Sequence, residues 1–164
     1  MSKRAEAKLR KSQRVAHHEA GHAVAAMQSG VRLESVTIKP SDETNGAAFV
    51  RRGRIPKDPR RLLEIAKTDC FIRLAGPAAE RRFSGRWDWM GAGHDLECVS
   101  GFAREIAGPD VREQAKFKDF FVRWAGHWVA IPEVWQTIEA VAEALLERET
   151  LTASEVKELL MVAS

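Results

Sequence analysis

The sequence predicts a mainly α-helical fold, a helical bundle carrying one small β-hairpin, and three observations point there. Apolar residues recur at three- and four-residue spacing through most of the 164-residue chain. One stretch, residues 31–52, switches to β-branched and large apolar residues set among polar ones. Helix punctuation falls where the helical pattern breaks, at Gly30, Asp58-Pro59, Gly85, Gly108-Pro109-Asp110 and Pro132.

Residues 1–13 hold Lys3, Arg4, Lys8, Arg10 and Lys11 against Glu6, with Leu9 as the one bulky apolar residue, and read as a basic, solvated helical lead-in rather than a membrane-surface helix. Residues 14–164 are expected to form a single domain, a length that buries one core. Its first helix has a small-residue face of Ala16, Ala20, Ala23, Val24 and Met27, with Gly30 as a left-handed C-terminal cap. Val31, Leu33, Val36 and Ile38 suit a strand ending at Pro40; a turn spans Asp42 to Gly46, and Gly46 to Arg52 suits a second strand. A hairpin of two or three strands needs helices packed on it. Asp58 and Pro59 start a helix running through Leu62, Leu63, Ile65, Cys70 and Ile72 to Ala75, and Gly76-Pro77 is expected to kink or restart it before Phe83-Ser84-Gly85. A loop over Arg86 to Gly93 precedes the stripe Val99, Phe102, Ala103 and Ile106, and Asp110 caps the next helix. Phe117, Phe120, Phe121, Trp124 and Trp128, then Val134, Trp135, Ile138, Val141 and Leu145, mark two more helices whose aromatic residues are expected in the core. Thr152 and Glu155 have capping-box spacing before a last helix with Val156, Leu159 and Leu160.

With 45% hydrophobic and 30% charged residues the chain is expected to fold, and charges interrupt every apolar run short of a membrane span. No apolar core of a secretory signal opens it, so a soluble, cytoplasmic protein is the expectation. Cys70 and Cys98 lack CxxC spacing and read as buried free thiols. A net charge of +3 defines no partner, and the absence of Tyr removes one stacking residue for single-stranded nucleic acid.

Inside the first buried helix lies His18-Glu19-Ala20-Gly21-His22, an HExxH motif. Positions four apart lie one turn along a helix on the same side, so both imidazoles can reach one Zn2+. Glu19 emerges about 100° from His18, where it can approach a metal-polarised water without competing for the metal, as a general base for amide hydrolysis must. Two His and one Glu on an Ala-rich buried helix would be costly without a partner, and one metal ion satisfies all three. A third ligand is required. The metzincin continuation is excluded because Ala25 and Gln28 stand where Gly and His would be needed. Asp69, Glu80, His94, Asp95 and Glu97 remain, and on spacing Asp95 and Glu80 are equal candidates.

VAHHEAGHAVAA, VTIKP, LAGPAAERRFSG, GAGHDLECVSGFA and IEAVAEALLERETLTASEV occur in the order of the blocks of the zinc peptidase domain of FtsH-type AAA proteases, which the chain resembles from about Arg14 to Leu160. The resemblance implies a helical bundle with a small hairpin and a zincin-like helix carrying HExxH. It implies one zinc per chain held by His18, His22 and Asp95, with Glu19 as general base, and it leaves Glu80 to support a ligand or the structure. It also implies that a strand from Gly46 through Ala47, Ala48 and Phe49 to Val50 pairs with extended substrate. In that family the peptidase follows a membrane anchor and an ATPase module. This sequence holds no phosphate-cradling G-x-x-x-x-G-K-[ST] and no spanning segment, so a stand-alone enzyme that does not use ATP is expected. Gly108 to Pro132 stands in for the family's long loop near the active site as a shorter, helical, Trp-rich segment.

The leading expectation is a zinc endopeptidase acting on unstructured or partner-delivered polypeptide, with a separate ATPase or adaptor and self-association both compatible with it. The alternative is a catalytically idle, metal-stabilised binding or adaptor module; an intact Glu19 speaks against it, since a structural zinc needs no base. Arg51, Arg52, Arg54, Lys57, Arg60 and Arg61 form a basic cluster that suits a solvated surface or an acidic peptide better than nucleic acid.

Overall fold

The computed structural model describes residues 2–42, 44–51 and 53–162. Within them lie six helices and three strands: α1 (Lys3–Gln28), β1 (Arg32–Thr37), β2 (Ala47–Arg51), α2 (Pro59–Ser84), α3 (Gly93–Ala107), α4 (Val111–Ala130), α5 (Pro132–Arg148), β3 (Thr150–Thr152) and α6 (Ala153–Val162). The fold is mainly helical with one small antiparallel sheet in the order β2-β1-β3. Among the described residues no helix is long and apolar enough to cross a membrane. Arg52, one of the basic cluster, lies outside the described residues; its neighbour Arg51 is exposed and pairs with Glu34.

α1 and α2 form the centre. Both are rich in small residues, and their axes come close enough that a Cβ on Gly21 would lie 2.6 Å from the Ala75 carbonyl oxygen and 2.8 Å from Ala79 Cβ. Leu74, Phe121, Ile138, Leu145, Leu151 and Val156 complete the core, which α4, α5 and β3 close. Local signals set the ends as the sequence predicts. Gly30 and Gly85 take positive φ at the ends of α1 and α2. Asp58 accepts from the Arg60 N–H and Asp110 from the Arg112 and Glu113 N–H groups. Thr152 and Glu155 form the reciprocal capping box.

The basic lead-in is the exposed first part of α1, which runs unbroken from Lys3 through the HExxH motif. The third strand, which the sequence left open, is β3, three residues long and more than a hundred residues from its partner β1 in the chain. Three expectations need correction. Pro77 does not interrupt α2; the lost hydrogen bond costs about 3 kcal/mol, but the buried run 74–80 sits in the α1–α2 interface and carries the helix through. Phe120 and Trp124 are 58% and 45% exposed while Phe121 and Trp128 are buried, so the aromatic face of α4 is only half in the core. Cys70 is buried, but Cys98 is half-buried, with Sγ 3.9 Å from His94 Nε2.

Candidate metal centre and active site

α1 turns His18, Glu19 and His22 toward a cleft of about 690 Å³ between β2, α2 and the start of α3. His18 and Glu19 are only 9% and 7% exposed. Asp95, in the first turn of α3, closes the group: its Oδ2 lies 3.3 Å from His18 Nε2 and 3.4 Å from His22 Nε2. One ligand atom from each of the three residues falls within 4.8 Å of the others.

The remaining ring nitrogens are already engaged. His18 Nδ1 donates to Glu80 Oε2 at 3.0 Å, and His22 Nδ1 donates to the Ile72 carbonyl at 2.8 Å. Each ring is thereby held with Nε2 facing the common point, the arrangement that outer partners of metal-bound imidazoles produce. Two nitrogens and one carboxylate oxygen suit Zn2+ with a fourth position open, so the residues present fit the ion. His17 shows the opposite case. It stacks on Phe83 with centroids 4.0 Å apart, donates to the Gln13 carbonyl, and burial lowers its pKa, as befits a neutral core imidazole.

Electrostatics match this convergence. Burial disfavours charge on His18, yet the Asp95 and Glu80 carboxylates on either side outweigh it and raise its pKa to about 10 without metal. Burial likewise opposes ionisation of Asp95, but His22 and His18 hold it well below the usual carboxylate range. Burial raises Glu19, against the pull of His22 and His18, which moves its carboxyl toward the range of a proton acceptor. Glu80 is lowered despite burial, by His18 and by Arg14, whose Nε donates to it at 2.9 Å. Arg14 also pairs with Asp88, so Asp88, Arg14, Glu80 and His18 form one continuous chain of contacts.

β2 is an edge strand, and Gly46, Ala47, Ala48, Phe49 and Val50 line the same cleft as Glu19 and Asp95. A Cβ on Gly46 would come within 2.9 Å of Glu19 Cγ. Of the third-ligand candidates, Asp95 joins the histidines, Glu80 stands behind His18, and His94 and Asp69 line the cleft outside the cluster. Sequence reasoning missed Arg14 and Arg73. Arg14 carried a signal, lying one turn before His18 on the same helix face. Arg73 Nη1 lies 3.5 Å from Asp95 Oδ1 and carried none.

A buried imidazole, a half-buried one and a carboxylate converge beside an edge strand, a group that could hold a metal ion. Comparison with known proteins gives the narrower likeness. The chain is 35% identical over 175 residues to ATP-dependent zinc metalloprotease FtsH 1 of Symbiobacterium thermophilum, a match covering 90% of this chain and 28% of that protein. It is 26% identical over 183 residues to ATP-dependent zinc metalloprotease FtsH of Mesomycoplasma conjunctivae, covering 88% of this chain and 24% of that protein. The homology to FtsH zinc metalloproteases is weak but extends over most of the chain, which spans about a quarter of the length of these relatives. No protein-family model matches the chain.

Proposed function

We propose that the chain is a zinc metalloendopeptidase that hydrolyses peptide bonds of extended polypeptides without needing ATP in isolation. The observation that carries this reading is the convergence of His18 Nε2, His22 Nε2 and Asp95 Oδ2, with Glu19 beside it on the same helix. His18, His22 and Asp95 would hold the ion. Zinc, when bound, supplies a Lewis acid that polarises a carbonyl and acidifies water. Glu19 takes the proton of the attacking water as the new C–O bond forms, and returns it to the amide nitrogen as the C–N bond breaks. Its raised pKa suits both halves of that transfer. The open edge of β2 would bind the substrate backbone as an added strand, keeping the scissile bond extended along the cleft. The names of the two relatives, zinc metalloproteases both, support the same reaction class.

The test is zinc analysis of purified protein together with cleavage of unfolded casein, with and without chelator, in wild type and in Glu19→Gln. Wild type is expected to hold about one zinc and to cleave, while Glu19→Gln keeps its zinc and loses turnover by roughly two to four orders of magnitude. A wild-type protein that holds zinc and never cleaves would instead support the idle binding module.

A further inference from the structure

We propose that Arg73 is a positioning residue that fixes which oxygen of Asp95 is offered to the metal; this rests on the metal reading above. Asp95 is the one ligand that does not stand on α1. It sits third in α3, whose N-cap, Ala92, makes no side-chain cap bond. A carboxylate in the first turn of such a helix is drawn to the uncapped N–H groups beneath it, away from the histidines. Arg73 opposes that pull from the side. Its Nη1 faces Oδ1 at 3.5 Å, while Oδ2 faces both imidazoles at 3.3 and 3.4 Å. The two oxygens of Asp95 are thus divided between one cation and one ligand position.

A second observation concerns the rest of the guanidinium. Arg73 Nε is buried and has no hydrogen-bond partner among the described residues. Desolvating part of an arginine without full satisfaction is costly, and the contact to Asp95 is what offsets it here. With Arg73 included, α2 alone holds the rear of all three ligands: Glu80 behind His18, the Ile72 carbonyl behind His22, Arg73 behind Asp95. These positions are 72, 73 and 80, all on a helix that Pro77 does not break.

The sign of the effect separates positioning from plain charge. A cation beside a Zn2+ site repels the ion, so if Arg73 acted only as a charge, its removal would tighten binding. If it positions Asp95, removal weakens binding, by the 10- to 100-fold typical of outer partners of metal ligands. Zinc affinity is measured by competition with a chromophoric chelator for wild type, Arg73→Met, Arg73→Lys and Arg73→Gln, with the absorption bands of the Co2+-loaded proteins as a second readout. The expected result is a 10- to 100-fold loss for Arg73→Met with shifted cobalt bands, and partial recovery in Arg73→Lys. Arg73→Gln gives the same ranking should the methionine variant fail to fold. Wild-type affinity or better in Arg73→Met or Arg73→Gln, with unchanged cobalt bands, overturns the inference while leaving the metal site standing. Wild-type protein that takes up no zinc overturns the metal reading, and this inference with it.

Discussion

Gly76 of α2 lies directly under the imidazole of His22: a Cβ built on it would stand 2.4 Å from Nε2 and 2.5 Å from Cε1. In an open helix Gly→Ala stabilises by roughly 0.5–1 kcal/mol. Here the added methyl group must push the imidazole off the metal point or force α1 and α2 apart, an overpacking that costs about 1–3 kcal/mol. Gly76→Ala is therefore expected to lower zinc affinity at least tenfold while far-ultraviolet circular dichroism stays helical. An unchanged zinc affinity would show that His22 has room that the geometry denies it.

Metal uptake should release a proton. Without metal, His18 holds its proton up to about pH 10, and zinc requires the neutral ring. At pH values below 10 binding must expel that proton, so the apparent affinity rises with pH, about tenfold per unit per proton, and flattens as pH 10 is approached. Calorimetry of zinc binding in two buffers of different ionisation enthalpy should report about one proton released per zinc at pH 7.5. No buffer dependence would mean that His18 is already neutral.

Glu80 should matter to the metal and not only to the fold. It accepts from His18 and from Arg14 while only 7% exposed, so Glu80→Ala leaves Arg14 with Asp88 alone and His18 without its brace. Loss of about 1–3 kcal/mol in stability is expected, since Arg14 is part-exposed and keeps Asp88. Glu80→Gln keeps the shape and an acceptor for His18, and should lose about tenfold in zinc affinity with a smaller change in thermal midpoint. Equal zinc affinity in wild type and both variants would remove Glu80 from the site.

Neighbouring residues of β2 point their N–H groups alternately toward β1 and away from it, so of Ala48→Pro and Phe49→Pro one removes an outward donor and the other a sheet bond. The variant that leaves the thermal midpoint nearest wild type is expected to cut peptide cleavage more than tenfold through a raised KM. Unchanged cleavage in that variant would move the substrate away from this edge.

The parts of the site legible in the sequence were those that one helix encodes. His18, Glu19 and His22 declare themselves because helical spacing alone brings them together. Asp95 was not separable from Glu80 by spacing, since its place depends on how α3 leaves the loop after α2, and that is a matter of packing. Arg73 has no sequence signal of its own, and Arg14 only its spacing to His18; the fold alone sets each against a carboxylate. The place of the third strand is not legible because three residues carry no period, and Pro77 does not restart α2 because its local cost is set against burial of a whole helix face. The helix caps, set by one or two residues in immediate contact, were the most legible features of all.

The unbroken course of α1 has a mechanical consequence. At about 1.5 Å per residue its 26 residues form a rod of about 39 Å, with His18 and His22 in its second half and an exposed basic stretch, residues 3–11, in its first. No joint separates the two. A molecule that bound the exposed basic end would therefore sit on the same continuous helix that carries His18 and His22 into the cleft.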